Sequence, residues 1–310
     1  MHIKSFISTG SLTPKTISNI FKQADKISKM PFSKTSKILK GKLVTLLFFE
    51  PSSRTFSSFA AAVKKLGGMT IEYQNPLQTS SSVKGETIED TFQVFENYSD
   101  AIVMRHYQKG TLQKAADAVS IPVINAGDGI GEHPTQALLD AYTIFNNTKK
   151  LDGLTGLMAG DMLNGRTVHS LLQLLSLYKN NTIYLLSPKQ LKLENEFKRH
   201  IEERGVKLIE ISSQNEIPIT CDFWYWTRVQ KERFTDKGEY EKLKHSFVLT
   251  QKLLSEKGNK KLILMHPLPR VGEIETQVDS DPRALYLTTQ VKNGMYIRMA
   301  LLSMIFGKKI

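Results

Sequence analysis

Phe48, Phe49, Glu50, Pro51, Ser52, Ser53, Arg54 and Thr55 form the stretch from which the rest of the chain can be placed. Residues 43–49 before it are apolar except for Thr45, the pattern of a strand buried on both faces. Residues 56–66 after it read as a helix ended by Gly67 and Gly68. Two serines, an arginine and a threonine therefore sit where a strand gives way to a helix. The backbone N–H groups of a helix N-terminus lack intrahelical partners, and the helix dipole there favours an anion. Hydroxyls and a guanidinium at that point would complete a phosphate cradle. The same residues also suit an ordinary Ser/Thr cap beside a surface arginine, and the stretch alone does not separate the two readings.

Working outward, the strand–helix alternation continues. Upstream, Thr13 and Pro14 suit the start of a helix, and Ile17, Ile20, Phe21, Ala24 and Ile27 recur at helical spacing. Downstream, strands are expected at 69–73, 101–104 and 122–125, and helices at 87–98 and 111–119. Residues 74–84 are polar, with hydroxyls at Thr79, Ser80, Ser81 and Ser82, and are expected to be mobile. Gly127, Gly129 and Gly131 fall at every second residue, which is not the dinucleotide fingerprint. His133 and Pro134 open a helix to about residue 145, and residues 146–150 read as its end and a domain boundary. The second half repeats the plan. Strands are expected at 156–159, 182–186, 207–211, 222–226 and 262–265, and helices at 167–178, 192–204 and 291–306. Residues 231–243 are charged and irregular and read as a surface loop. The predicted fold class is α/β, with parallel sheets flanked by helices.

Composition limits the function. At 310 residues, one large or two ordinary domains are expected. Hydrophobic content of 40% and charged content of 23% suit a globular protein. No apolar run nears the ~18 residues of a membrane span, and the first residues lack the apolar core of a signal peptide. The one cysteine, Cys221, excludes an intrachain disulfide and any multi-cysteine metal site. It fits a reducing compartment, read as the cytoplasm. The net charge of +12 is spread without a run of five or six basic residues, which favours a lysine-rich solvated surface over a nucleic-acid partner.

In open α/β sheets, ligands bind beyond the carboxyl ends of the strands. Arg54, Arg105, Arg166 and Arg228 each follow an expected strand, and a cleft lined by them would suit two anionic substrates. Taken alone, Arg105 also suits a surface arginine, and His133 a helix-start histidine satisfied locally. His106, His169, His200 and His245 are read as structural. Asp161 has no companion ligand at metal spacing. Neither a phosphate-binding glycine–lysine loop nor a serine elbow is present.

Four further motifs follow the first in order. They are Ser82-Val83-Lys84-Gly85-Glu86-Thr87, Asp128-Gly129 through His133-Pro134-Thr135-Gln136, Gly160-Asp161 through Gly165-Arg166-Thr167, and His266-Pro267-Leu268-Pro269-Arg270. Together the motifs span about residues 42–305, and the chain resembles the aspartate and ornithine carbamoyltransferase family. The resemblance implies two domains. Residues 1–133, with the C-terminal helix 291–310 returning to them, would bind carbamoyl phosphate. Residues 134–149 would form a linking helix, and 150–290 would bind aspartate.

The resemblance also assigns roles. Ser52, Ser53, Arg54, Thr55 and Arg105 match the phosphate site. His133 and Gln136 match positions near the carbamoyl group. Arg166, Arg228 and Gln230 match residues holding the acceptor's carboxylates. The backbone of Leu268 and Pro269 matches an acceptor of substrate N–H groups, with Leu268 reaching aspartate as well. Ser80 and Lys84 match a loop that enters a neighbouring subunit's site, with Lys84 touching both substrates, and Glu86 matches a residue steadying the phosphate-loop arginine. Arg54, Thr55, Lys84, Arg105 and His133 are the implied catalytic set. The implied assembly is a homotrimer with shared sites, to which a regulatory chain could be added. No cofactor, metal, nucleic acid or membrane is implied.

Ser53 stands where the family usually has threonine, and it keeps the hydroxyl. Gly131 and Glu132 replace a common Asn-Gln, placing a negative charge near the expected anion site. Pro267, where the ornithine branch carries cysteine, and the Thr227-Arg228-Val229-Gln230 stretch match the aspartate branch. The expected reaction is therefore transfer of a carbamoyl group from carbamoyl phosphate to L-aspartate. The rivals are a carbamoyltransferase with another amine acceptor and a noncatalytic anion-binding or nucleic-acid-binding protein.

Overall fold

The structure, a computed structural model, describes residues 4–75, 85–129, 131–231, 234, 236–243 and 246–308. The chain divides into two units, Met1–Leu138 with Lys292–Ile310, and Leu139–Val291. Each is a parallel sheet flanked by helices, as expected.

The first unit is built on β1 (Leu43–Phe48), β2 (Met69–Gln74), β3 (Ala101–His106) and β4 (Val123–Asp128), in the order β2-β1-β3-β4 and all parallel. The central strands β1 and β3 are almost wholly buried, as their continuous apolar runs require. β4 runs three residues past its expected end. Its glycine hides it from propensity, but a register shift between Met104 and His106 lets it pair on to Asp128. The N-terminal segment covers the outer side of β4 through the Phe6–Ile124 bridge, which protects an edge that could otherwise pair with another chain.

Helix α1 (Pro14–Lys29) begins with the Thr13 hydroxyl accepting the Thr16 N–H, and Ile17, Ile20, Phe21, Ala24 and Ile27 form its buried face. Each of the larger of these side chains contributes ~1.5–3 kcal/mol by leaving water. A short α2 (Phe32–Thr35) follows, then α3 (Ser53–Lys65), α4 (Ile88–Glu96) and α5 (Thr111–Ala118). Helix α6 (Pro134–Thr148) carries the chain into the second unit, whose boundary falls inside it.

The second unit holds β5 (Thr155–Ala159), β6 (Thr182–Leu186), β7 (Lys207–Ile211), β8 (Phe223–Trp226) and β9 (Ile263–Met265), ordered β7-β6-β5-β8-β9 and all parallel. Its helices include α7 (Arg166–Leu175), α8 (Asn195–Glu203), α9 (Lys237–Leu243) and α10 (Gln251–Lys257). Helix α9 corrects the expectation of a loop over 231–243. Its charged sequence carries only two apolar positions useful for burial. Tyr240 is buried with Leu191 and Val229, and Leu243 and Phe234 pack beside them. The Asp236 carboxylate accepts the Gly238 N–H at the helix start. Helix α10, not anticipated at all, is capped by Thr250.

The last helix, α11 (Thr289–Ile305), returns to the first unit as expected. There Gln23 Nε2 donates to Ser303 Oγ (3.1 Å), Arg298 Nη1 donates to Ser58 Oγ (3.0 Å), and the Arg298 guanidinium lies over the Phe59 ring. Among the described residues, no helix is long and apolar enough to cross a membrane.

Candidate active site

In the first unit, the carboxyl ends of β1, β3 and β4 lie side by side, because those strands are neighbours in the sheet. β1 leads into Glu50–Ser52 and then α3, which starts at Ser53, three residues before its apolar periodicity begins. Ser52 is the N-cap residue, yet its side chain makes no capping hydrogen bond. An ordinary serine cap is thereby ruled out, and the hydroxyl is not committed to the helix it precedes. Arg54 is exposed and Thr55 buried.

Arg105 lies at the carboxyl end of β3, next to its last residue His106, opposite Phe48, and is buried. Its Nη2 lies 2.7 Å from Glu50 Oε2, and its Nη1 lies 3.4 Å from the Ala126 carbonyl. The Glu50 partner was not anticipated. The signal was present in the sequence as the only acid in an anion-binding motif. Gly127 makes room for this arginine: a Cβ there would lie 2.8 Å from Arg105 Nη1. His133 and Gln136 are both buried at the start of α6, after β4. Ser52, Ser53, Arg54, Thr55, Arg105, His133 and Gln136 thus all lie at or just beyond the carboxyl ends of neighbouring strands of one sheet.

Glu132 is engaged by the N-terminal segment. Its carboxylate accepts from the Ser8 hydroxyl, the Thr9 N–H and the Thr9 hydroxyl, each at 2.6 Å. The charge is spent on holding the N-terminal turn to the loop after β4. Glu86 accepts from the Thr91 hydroxyl at 2.7 Å. Ser80 and Lys84 lie outside the described residues, as does most of the 74–84 loop. His106 is held locally, accepting the Gln108 N–H, and burial lowers its pKa.

In the second unit, β5, β8 and β9 are likewise neighbours. Gly160 follows β5 with φ 117°, and a Cβ there would lie 2.2 Å from the Thr227 carbonyl oxygen, so the two loops touch backbone to backbone. Asp161 is fully buried and organises the next turn by accepting the Asn164 N–H at 2.9 Å. Burial raises its pKa. Arg166 opens α7. Gln230 Nε2 donates to the Asn164 carbonyl (2.8 Å), which ties the loop after β8, carrying Arg228, to the turn before Arg166.

After β9, the Leu268–Pro269 peptide is cis and Leu268 has φ 59°. His266 is buried, and its Nε2 lies 2.7 Å from Glu273 Oε1. Arg270 is braced by Asp279 and Tyr286. Arg166, Arg228, Gln230, Leu268 and Pro269 therefore sit on the loops after three adjacent strands. Among the described residues, no group of three or more His, Cys, Asp or Glu side chains is placed to hold a metal ion. Cys221 is buried, and burial pushes its thiol up to about 12.

Comparison with known proteins bears on both units. Residues 4–146 match the carbamoyl-P binding domain of aspartate/ornithine carbamoyltransferases, and residues 152–305 match the Asp/Orn binding domain. A chloroplastic aspartate carbamoyltransferase of Arabidopsis thaliana is 48% identical over 290 residues, covering 93% of this chain and 73% of that protein. The catalytic subunit of M. jannaschii aspartate transcarbamoylase superposes with a TM-score of 0.91 at 40% identity, covering 98% of each chain. Aspartate transcarbamoylase from Trypanosoma cruzi, solved with carbamoyl phosphate and aspartate, superposes with a TM-score of 0.90 at 36% identity, covering 98% of this chain and 97% of that one.

Proposed function

The chain belongs to the aspartate/ornithine carbamoyltransferase family, and on that premise we propose how its residues divide the work. The reaction is transfer of the carbamoyl group of carbamoyl phosphate to the α-amino group of L-aspartate. It gives N-carbamoyl-L-aspartate and phosphate, an early committed step of pyrimidine biosynthesis.

In our reading, Ser52, Ser53, Arg54, Thr55 and Arg105 hold the phosphate at the start of α3, with Ser80 and Lys84 completing it. His133, Gln136 and the backbone of Leu268 and Pro269 orient the carbamoyl group. Arg166, Arg228, Gln230, Lys84 and Leu268 hold aspartate. The observation that carries this reading is that the carboxyl ends of the neighbouring strands β1, β3 and β4 lie together, where a helix N-terminus without a side-chain cap has no acid in its own first turn.

The deprotonated amine attacks the carbonyl carbon, and negative charge develops on the carbonyl oxygen. Thr55, Arg105 and His133 are the donors for that charge, and one such donor is worth ~3–4 kcal/mol. Holding two anions in register supplies an orientation gain of up to ~7–11 kcal/mol. The C–O bond to phosphate then breaks, and the departing phosphate takes the amine proton. No covalent enzyme intermediate is required.

The finer reading is a homotrimer with active sites shared between subunits, working in the cytoplasm and open to a regulatory chain. An acceptor screen with carbamoyl phosphate tests the assignment. Two arginines and an amide suit a dicarboxylate, so aspartate should be preferred over ornithine by orders of magnitude. Equal turnover of ornithine, or none of aspartate, refutes it.

A further inference from the structure

We propose that Glu273, acting through the His266 imidazole, is a positioning residue that sets the orientation of the Pro267–Leu268–Pro269 backbone. This rests on the reading that the Leu268 and Pro269 backbone within this segment accepts substrate N–H groups. The Leu268 N–H donates to His266 Nδ1 at 2.8 Å. Nδ1 therefore carries no proton and Nε2 does. Nε2–H donates to Glu273 Oε1 at 2.7 Å. The other carboxylate oxygen, Oε2, accepts the Val271 N–H at 2.8 Å. One buried carboxylate thus grips the loop near both ends, directly at Val271 and through the ring at Leu268.

The geometry has a consequence for the carbonyls. In a trans peptide, N–H and C=O point in opposite directions. With the Leu268 N–H turned toward the ring, the Pro267 carbonyl is turned away from it. The loop is also anchored at its first residue. The His266 N–H donates to Gln290 Oε1 at 3.0 Å, and Gln290 Nε2 donates to Asp140 Oδ1 at 2.7 Å. The other Asp140 oxygen accepts the Tyr225 hydroxyl at 2.8 Å. All of these side chains are buried. A chain of hydrogen bonds with every member buried holds one geometry, where a solvated loop would sample several. Burial keeps the imidazole neutral, so the tautomer does not change near neutral pH.

The test compares three variants. His266→Leu removes both ring hydrogen bonds. His266→Asn places a side-chain oxygen where it can accept the N–H two residues on, as in an Asx-turn, and so restores the Leu268 contact without Glu273. Glu273→Gln keeps an acceptor for the ring but sets an N–H donor against the Val271 N–H. Measured quantities are kcat, KM for both substrates, Kd for inorganic phosphate, and Tm.

His266→Leu should lower kcat roughly thirtyfold or more, since misplaced positioning groups act on orientation, with phosphate Kd within about twofold of wild type. His266→Asn should recover much of that loss, and Glu273→Gln should fall between. A folded His266→Leu with wild-type kcat, or an Asn variant no better than Leu, overturns the proposal. If His266→Leu does not fold, Glu273→Gln becomes the deciding variant, and its unchanged kcat would equally overturn the proposal. Wild-type protein that fails to carbamoylate aspartate sinks the functional reading instead. The pair is then judged with the amine that the acceptor screen identifies.

Discussion

Arg54 and Arg105 both belong to the proposed phosphate site, but they stand in opposite environments. Arg54 is exposed at the first turn of α3, whereas Arg105 is buried against Glu50. Because Arg54 is exposed, its removal opens no buried cavity. Arg54→Ala should therefore keep a Tm close to wild type while kcat falls about a hundredfold or more, as for loss of a transition-state donor. A variant with near-normal kcat and a raised KM would show uniform binding and refute the role. Arg105 does not allow so clean an experiment, because its loss leaves the Glu50 carboxylate without its guanidinium.

His266 supplies a prediction in pH. Burial lowers its folded pKa, with the nearby Arg270 and Arg228 charges acting in the same direction, against the pull of Glu273. A depressed histidine contributes stability above its unfolded pKa of about 6.5, which is lost as pH falls through the folded value. Burial alone would raise the Glu273 carboxyl, but the hydrogen bonds it accepts from His266 and from the Val271 N–H leave it lowered. Its contribution is lost only at more acid pH. Tm measured from pH 7.5 to 5 should fall more steeply for wild type than for His266→Asn. Parallel curves would show that the imidazole does not stay neutral when buried.

At the scale of elements, two glycines at the carboxyl ends of strands separate site geometry from fold. Gly127 has φ 133° and lies against the flexible end of Arg105. Gly127→Ala should displace that guanidinium, raise KM for carbamoyl phosphate about tenfold, and destabilise by more than ~1 kcal/mol from the positive φ. Gly160 has φ 117°, and its added Cβ would meet the Thr227 backbone, which cannot swing aside. Gly160→Ala should fail to accumulate as folded protein. Steady-state kinetics and thermal melts distinguish these outcomes, and a Gly127→Ala enzyme with unchanged KM would show that Arg105 does not need its observed position.

At the scale of the whole molecule, the proposed assembly turns on which site Lys84 serves. In the proposed trimer it would enter a neighbouring subunit's site, which a heterologous interface closing at three copies permits. Lys84→Ala and Arg54→Ala proteins should each be nearly inactive. When they are mixed, dissociated and allowed to reassociate, an Arg54→Ala chain donating Lys84 to a Lys84→Ala chain creates a site that is wild type at both positions. The mixture should regain a substantial fraction of activity, while each mutant treated alone does not. Verified mixed trimers that stay inactive would place the whole site within one chain.

Most of the elements and their class were legible along the chain. The apolar runs of β1, β3, β5 and β8, the Thr13–Pro14 helix start and the ordered motifs are local features. Each follows from propensity or periodicity over a few residues. The same locality explains the misses. Helix α9 forms because Tyr240 finds Leu191 and Val229, about 50 and 11 residues away in the chain, and no window along 231–243 contains them. The strand orders β2-β1-β3-β4 and β7-β6-β5-β8-β9 emerge only from the packed sheets, and they bring three loops together in each unit. Tertiary packing also paired Glu50 with Arg105, gave Glu132 its hydroxyl partners at Ser8 and Thr9, and enclosed His266 with Glu273. A charged side chain looks the same in sequence whether it faces a substrate, a hydroxyl or water. Its partner is chosen by which strands become neighbours, and that is settled by burial of the whole sheet rather than by the residues on either side.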